Sequence, residues 1–269
     1  SGEIRIMKIS IIQFNPQLKE PITNLNTVKS FLEKLPACQN HLVVLPELWS
    51  TGFVAELEAM ADINEQFILP EIRELSKNNH VTIAGSYIHK HENTYTNQLR
   101  MIQPNNTEEA TYHKIHLFSQ MNEVKWFSAG TQPIIVNLLG INIGLSICYD
   151  LRFPELFRWY AMHNVEICIL PSQWPLKRID HFKTLLKGRA IENQMAMAAC
   201  NVSGKIGNTL FGGSSQVIDH AGIVTNQLNE KEPGCITTEI NIEALRKWRE
   251  DFPVLKEIKT DIYKNLSFH

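Results

Sequence analysis

The sequence lacks the cysteine pattern of a disulfide-bonded or zinc-binding protein. Its 269 residues contain five cysteines, an odd number, and no two of them stand at Cys-x-x-Cys spacing. Paired cysteines are needed for a disulfide framework and for a zinc ribbon, so neither class fits. Because free thiols persist in a reducing compartment, we expect a cytoplasmic protein in which a single cysteine is available for catalysis.

An excess of charge of either sign is also missing. Lysine and arginine together number 26 against 28 aspartates and glutamates, which leaves a formal net charge of -2. A nucleic-acid-binding domain normally carries a basic face, so this balance argues against a nucleic-acid partner. No apolar run approaches the length of about 18 residues that a membrane span needs, and the N-terminus has no signal-peptide core. We therefore expect no membrane partner.

Several common catalytic and cofactor motifs are absent. The sequence contains no Walker A loop, no Gly-x-Gly-x-x-Gly, no His-Glu-x-x-His and no Gly-x-Ser-x-Gly. These absences argue against a P-loop nucleotide site, a dinucleotide-binding turn, a zinc peptidase helix and a serine nucleophile elbow. His113 and His116 lack a third ligand at useful spacing, so no metal is expected.

The chain does contain an alternation of strand-like and helix-like segments along its whole length. Apolar residues make up 43% and charged residues 20%, which is typical of a globular domain. Strands that alternate with helices, together with hairpins, favour an α/β fold with a mixed sheet. We assign one domain to residues 7–269 and leave residues 1–6 outside it as a remnant or disordered extension. The predicted strands are residues 8–14, 41–45, 81–87, 94–102, 109–112, 134–138, 141–147, 166–170, 196–201, 214–218 and 235–240, and the predicted helices are residues 21–35, 65–79, 155–162 and 179–194.

Three segments place a reactive side chain just after an apolar, strand-like run. They are LPELW around Glu47, YHKIHLF around Lys114 and ICYDLRFPE around Cys148. A cysteine between a strand and a tight turn has the layout of a nucleophile elbow. A carboxylate beside buried residues has a raised pKa, which suits a general base. Taken singly, Glu47 and Lys114 also fit the plainer interpretation of solvated charges at strand ends.

The other four cysteines are weaker candidates for a nucleophile. Cys168 and Cys200 lie within apolar runs, where cysteine is usually a small buried hydrophobic residue. Cys38 and Cys235 have no partner chemistry nearby in the sequence. Cys148 is therefore the predicted nucleophile.

Taken together and in this order, the three segments resemble the nitrilase superfamily of carbon–nitrogen hydrolases. The resemblance extends from Ser10 to the strand near Glu239. It implies a four-layer α-β-β-α sandwich with two mixed sheets. It also implies that Cys148 is the nucleophile, that Glu47 is the general base and then the acid, and that Lys114 stabilises the tetrahedral intermediate.

The family has a second glutamate after the lysine segment, and Glu123 is its best match, with a surface charge as the plainer interpretation. The backbone N–H of Tyr149 and the ammonium of Lys114 are the expected donors to the oxyanion. We also expect the Lys114 charge to favour the thiolate form of Cys148. This chemistry requires neither a metal nor an organic cofactor.

The stretch PSQWPLKR, at residues 171–178, is similar to the omega-amidase branch of that superfamily. The resemblance implies hydrolysis of a small carboxamide, in particular a 2-oxo acid omega-amide such as 2-oxoglutaramate. Trp174 is expected to wall the acyl pocket and Arg178 to pair with a substrate carboxylate, unless they are a packed tryptophan and a solvated arginine. The alternatives within the superfamily are an N-carbamoyl amide hydrolase, an amidase for deaminated glutathione and a nitrilase. The family also implies a homodimer.

Overall fold

A computed structural model describes residues 5–36, 41–105 and 109–264, which form fourteen strands and eight helices. The strands are β1 (Ile6–Gln13), β2 (His41–Val44), β3 (Thr82–His91), β4 (Thr94–Ile102), β5 (Ala110–His113), β6 (Ile135–Leu138), β7 (Ile141–Leu145), β8 (Ile167–Ser172), β9 (Ala196–Asn201), β10 (Ser203–Ile206), β11 (Thr209–Gly212), β12 (Gln216–Ile218), β13 (Val224–Gln227) and β14 (Gly234–Asn241). The helices are α1 (Pro21–Leu32), α2 (Leu57–Ile63), α3 (Leu69–Asn79), α4 (Glu123–Trp126), α5 (Pro154–Met162), α6 (Ile179–Asn193), α7 (Ile242–Asp251) and α8 (Thr260–Lys264).

Twelve of these strands form two sheets of six. The first sheet has the order β14-β1-β2-β3-β4-β5 and the second has the order β13-β12-β9-β8-β7-β6. In each sheet three neighbouring strands run parallel, β1-β2-β3 in the first and β7-β8-β9 in the second, and antiparallel strands flank them. Strands β10 and β11 form a separate hairpin. The prediction of two mixed sheets is confirmed.

The two sheets pack face to face, and helices cover their outer faces. Because successive strand residues point to opposite faces, each central strand contributes to two cores. In β8, Ile167 and Ile169 face the core between the sheets, while Cys168 and Leu170 pack towards α5 and α6. Helices α1 and α3 cover the first sheet in the same way. This four-layer α-β-β-α arrangement explains why the strands read as continuous apolar runs.

Several boundaries differ from the sequence-based expectations. The helix predicted at 65–79 is preceded by α2 and joined to it by a π-helical turn, Asn64–Ile68. The buried Asn64 side chain accepts a hydrogen bond from Ser50 and donates one to the carbonyl of Ile88, which holds this turn to the sheet. Strands β10, β11 and β13 and helices α4, α7 and α8 were not predicted. All except α7 have five residues or fewer, whereas the ten residues of α7 place Ile242, Leu245 and Trp248 at helical spacing, a signal that sequence reasoning overlooked.

The N-terminal boundary also needs correction. Strand β1 begins at Ile6, and Arg5 donates a side-chain hydrogen bond to Gly140 and accepts a backbone one from Ile242. Arg5 and Ile6 are thus part of the fold, not of the extension predicted at residues 1–6. Residues 1–4, Cys38 and Asn106 of the predicted turn lie outside the described residues. Among the helices listed above, none has both the length and the apolar character needed to cross a membrane.

Candidate active site

The three segments singled out in the sequence meet at one cavity of about 480 Å³. Glu47 follows β2, Lys114 follows β5 and Cys148 follows β7. Strands β2 and β7 belong to different sheets, so the stacking of the sheets brings the three loops together. The cavity thus lies at the edge where parallel strands end, which is the usual location of sites in α/β folds.

Glu47 is fully buried, and within the part of the chain that the structure describes, nitrogen donors reach only one of its carboxylate oxygens. Its Oε1 accepts hydrogen bonds of 2.8 Å from Lys114 Nζ and of 2.8 Å from Asn97 Nδ2. Among the described residues its Oε2 is buried without a hydrogen-bond partner, and the Cys148 thiol lines the same cavity. Burial raises the pKa of Glu47 above its ordinary value, and the nearby Lys114 charge offsets this only in part. A carboxylate in this setting is suited to accept a proton.

Lys114 bridges two carboxylates and is 1% exposed. Its Nζ lies 2.8 Å from Glu47 Oε1 and 2.6 Å from Glu123 Oε1. Burial alone would lower the pKa of Lys114, but the two carboxylates raise it above its ordinary value, so the side chain stays charged. Glu123, the first residue of α4, is itself held by the backbone N–H of Phe118, 2.6 Å from its Oε2.

Cys148 adopts a left-handed backbone conformation, with φ of 47°, and begins a 3-10 turn that ends at Arg152. Burial raises the pKa of the Cys148 thiol, the Glu47 carboxylate raises it further, and Lys114 lowers it by less. Together these effects favour the thiol over the thiolate form of Cys148. Lys114 does favour the thiolate, as expected, but burial and the Glu47 charge outweigh it. Glu47 lies next to the thiol and can take its proton during the reaction.

The remaining predicted residues line the same cavity. Tyr149 follows the cysteine directly, and Trp174 donates a 3.3 Å hydrogen bond from its indole N–H to the backbone carbonyl of Cys148. The Arg178 guanidinium lies over the ring of Phe118, 5.2 Å from its centroid. The structure thus brings together all seven residues predicted for the site, namely Glu47, Lys114, Glu123, Cys148, Tyr149, Trp174 and Arg178.

Sequence reasoning missed three residues at the site, of which Arg152 and Gln173 line the cavity. Arg152 lines it and stacks over Trp174, with 4.7 Å between the guanidinium carbon and the ring centroid. Gln173 donates a hydrogen bond to the backbone carbonyl of Glu47 at 2.8 Å, and Asn97 binds the Glu47 carboxylate. Arg152 lies inside the cysteine segment, four residues after Cys148, so its position could have been noticed. Asn97 has no local signal, because only the sheet packing brings β4 next to Glu47.

The two histidines beside Lys114 form ordinary hydrogen bonds. His113 contacts Thr96 at 2.8 Å and Gln98 at 3.2 Å, and His116 contacts the carboxylate of Asp150 at 2.7 Å. Within residues 5–36, 41–105 and 109–264, no three His, Cys, Asp or Glu side chains are arranged to hold a metal ion.

Comparison with known proteins identifies the family. The model of the family described as carbon-nitrogen hydrolase matches residues 8–250. The 2-oxoglutaramate amidase of Bacillus subtilis (strain 168) is 34% identical over 257 residues, covering 95% of this chain and 98% of the relative. The omega-amidase YafV of Escherichia coli (strain K12) is 30% identical over 252 residues, covering 93% and 96%. The crystal structure of XC1258 from Xanthomonas campestris, a CN-hydrolase superfamily protein with an arsenic adduct in its active site, is 30% identical and superposes with a TM-score of 0.87, covering 99% of both chains. The chain therefore belongs to the carbon-nitrogen hydrolase family and is an enzyme of the amidase type.

Proposed function

We propose that this enzyme hydrolyses the terminal carboxamide of a small 2-oxo acid, such as 2-oxoglutaramate, to a carboxylate and ammonia through a thioester on Cys148. The observation that carries the proposal is the cavity itself. It ends at the Cys148 thiol beside the buried Glu47 and Lys114, and two guanidinium groups, of Arg152 and Arg178, line it. The names of the relatives from Bacillus subtilis and Escherichia coli agree with this substrate class.

In the first half of the reaction Glu47 acts as the base. It takes the proton of the Cys148 thiol as the sulfur attacks the amide carbon, and the carbonyl oxygen becomes an oxyanion. Lys114 and the backbone N–H of Tyr149 stabilise that charge. Glu47 then passes the proton to the amide nitrogen, the C–N bond breaks, ammonia leaves and a thioester remains.

In the second half Glu47 is again a carboxylate. It takes a proton from water, the resulting hydroxide attacks the thioester carbon, and the oxyanion forms at the same position beside Lys114. Collapse of this intermediate breaks the C–S bond and releases the carboxylic acid product. The departing sulfur recovers its proton from Glu47. Glu123 assists both halves by holding Lys114 in its charged form at a fixed position, 2.6 Å away.

Substrate selection depends on the charge of the lining. A guanidinium binds a carboxylate through two parallel hydrogen bonds, and Arg178 and Arg152 are each stacked on an aromatic ring that limits their rotation. Both carboxylates of the lining, Glu47 and Glu123, bind Lys114. An acidic amide therefore meets guanidinium charge that neither carboxylate of the cavity lining pairs with.

The test of the proposed function is ammonia release from a panel of small amides. The panel contains 2-oxoglutaramate, succinamate, glutamine, a neutral aliphatic amide, an N-carbamoyl amine and a simple nitrile. We expect the highest kcat/KM for 2-oxoglutaramate or succinamate, and no ammonia when Cys148 is replaced by alanine. A preference for the carbamoyl compound or the nitrile would contradict the proposed substrate class and favour one of the other superfamily activities.

We predict that Arg178→Ala raises KM for acidic amides by about ten- to a hundredfold, the equivalent of one charge-assisted hydrogen-bond pair, with little change for a neutral amide. The measurement is kcat and KM for succinamate and for an uncharged amide of the same length. Arg73→Ala is the matched control, since Arg73 pairs with Glu109 on the outer helix side. Equal KM increases for both amides would remove Arg178 from carboxylate binding.

We further propose a homodimer that packs through the helical layer of α5. Trp159 is 38% exposed and Met162 is 44% exposed on this helix, and together they offer apolar surface that a second copy would cover. A monomeric mass in analytical ultracentrifugation at micromolar concentration would contradict this assembly.

We also propose a cytoplasmic location. Four of the five cysteines, Cys148, Cys168, Cys200 and Cys235, fall within the described residues, and all four are free thiols. A reducing compartment preserves the Cys148 thiol that the mechanism needs. Recovery of the protein in a membrane or secreted fraction would contradict this location.

A further inference from the structure

A buried carboxylate outside the reaction chemistry receives four hydrogen bonds. The Oδ2 of Asp150 accepts from the backbone N–H of Ile147 at 2.9 Å and from the Tyr112 hydroxyl at 2.7 Å. Its Oδ1 accepts from the backbone N–H of His116 at 3.1 Å and contacts His116 Nδ1 at 2.7 Å. Asp150 is 0% exposed, so water cannot replace any of these donors.

The partners of Asp150 belong to the two segments that carry Lys114 and Cys148. Tyr112 and His116 stand two residues before and two residues after Lys114, and Asp150 stands two residues after Cys148. The carboxylate therefore holds both flanks of the segment around Lys114 (residues 112–116, the lysine loop) against the turn that presents the Cys148 thiol. We propose that Asp150 is a positioning residue that sets the placement of the Lys114 ammonium relative to the Cys148 sulfur.

The backbone at Cys148 supplies an independent reason for this role. Its left-handed conformation, with φ of 47°, is unfavourable for a residue with a side chain and persists only where the surroundings enforce it. The hydrogen bond from the Ile147 N–H to Asp150 spans the Cys148 turn and helps to enforce it. Aromatic packing extends the restraint to Tyr149, the residue after Cys148. His116 stacks on Phe153, and Phe153 and Tyr149 pack edge to face.

The hydroxyl of Tyr112 extends the same restraint into the lysine loop. It accepts a long hydrogen bond, 3.4 Å, from the backbone N–H of Ile115 while donating to Asp150. Tyr112 is fully buried, and its main chain pairs with Leu99 in the first sheet. The carboxylate in the second sheet's loop is thereby connected to a rigid strand of the first sheet.

The principal test is the substitution Asp150→Asn, which keeps the shape but turns one oxygen into an N–H donor facing other donors. This test depends on the amidase chemistry of Cys148 and not on which amide is the natural substrate. We expect kcat to fall about a hundredfold, as for a displacement of about 1 Å in reacting groups, while KM changes little because the cavity lining is intact. Alkylation of Cys148 by iodoacetamide, which needs no substrate, should also slow.

A second variant keeps the proposal testable if Asp150→Asn does not fold. Tyr112→Phe removes one of the four hydrogen bonds and leaves the charge of Asp150 unchanged. We expect a smaller loss of kcat, about three- to tenfold, at unchanged KM, relative to the control Tyr95→Phe, which removes a hydroxyl outside this cluster. A loss in both Asp150→Asn and Tyr112→Phe would identify geometry, and not charge, as the cause.

Two results would overturn the proposal. One is a folded Asp150→Asn enzyme with wild-type kcat and wild-type alkylation rate. The other is a Tyr112→Phe enzyme that cannot be distinguished from Tyr95→Phe. If the wild-type enzyme releases no ammonia from the omega-amides, the proposed substrate is wrong, but the alkylation rates still decide the role of Asp150.

Discussion

Replacing Cys148 by alanine should abolish amide hydrolysis, with a loss in kcat of about 10⁴-fold or more, because no thioester can then form. The fold should survive, since alanine is smaller than cysteine and meets the same backbone requirement at this position. The measurements are ammonia release with the preferred amide, and circular dichroism with a melting curve to verify the fold. A substrate that deacylates slowly should leave an acyl adduct on the wild-type protein, visible by mass spectrometry, and none on the alanine variant.

Cys235→Ala is the matched control for this loss. Cys235 is a free, partly buried thiol near the end of the first sheet, and it does not line the cavity. We expect activity close to wild type for this variant. If Cys148→Ala hydrolysed amides at the wild-type rate while Cys235→Ala did not, the assignment of the nucleophile would be wrong.

Glu47→Gln should lower kcat by about a thousandfold, within the range that general acid–base catalysis contributes. Glutamine retains an oxygen that can accept from Lys114 and Asn97 as Glu47 Oε1 does, so the substitution removes the base without emptying the site. Both acylation and deacylation need this base, so both steps should slow. The measurement is single-turnover ammonia release together with the rate at which the acyl-enzyme disappears.

The pH dependence distinguishes loss of the base from loss of geometry. Glu47 must be ionised to accept the thiol proton, so kcat/KM of the wild type should fall as the pH decreases through the Glu47 pKa. Burial raises that pKa above the ordinary carboxyl value, with Lys114 opposing in part, so the fall should begin at a higher pH than for an exposed carboxylate. The residual activity of Glu47→Gln should lack this decrease at low pH, which is the acid limb of the pH profile. An identical acid limb in the variant would mean that another group is responsible.

Glu123→Gln serves as the control for the second carboxylate. The charge of Glu123 raises the pKa of Glu47, so removing it should shift the acid limb towards lower pH. Its effect on kcat should be smaller than that of Glu47→Gln, because Glu123 contacts Lys114 and not the thiol. An effect as large as that of Glu47→Gln would assign Glu123 a direct part in proton transfer.

The local sequence was informative wherever a strand leads directly into a reactive loop. Cys148 could be distinguished from Cys168 and Cys200 because it alone stands where an apolar run meets a polar turn, and the structure places the other two in the cores. The layered fold was likewise predictable from the resemblance of the three segments, and the continuous apolar runs agree with strands covered on both faces. Short elements such as α4 and the β10-β11 hairpin escaped prediction because tertiary contacts, and not local propensity, stabilise them.

Electrostatics in the site could not be read from residue types. From residue types alone, a lysine beside a cysteine favours a thiolate. The pKa of a thiol, however, depends on how exposed the sulfur is to water and on which charges surround it. Here burial and Glu47 outweigh Lys114, and only the packed structure reveals that balance. Likewise, the contacts of Gln173 and Asn97 with Glu47 became visible only when the cavity was assembled.

The sequence by itself determined the kind of chemistry, since Glu47, Lys114 and Cys148 each follow a strand within a segment that resembles the nitrilase superfamily, and that resemblance implies an amidase reaction. Tertiary structure alone decided how those residues act together. Stacking two sheets brings three distant loops to one cavity and buries Glu47 and Lys114 beside Cys148, whose thiol pKa is raised there. It also connects the lysine loop to the cysteine turn through the buried carboxylate of Asp150, because contacts between distant segments exist only once the chain has packed.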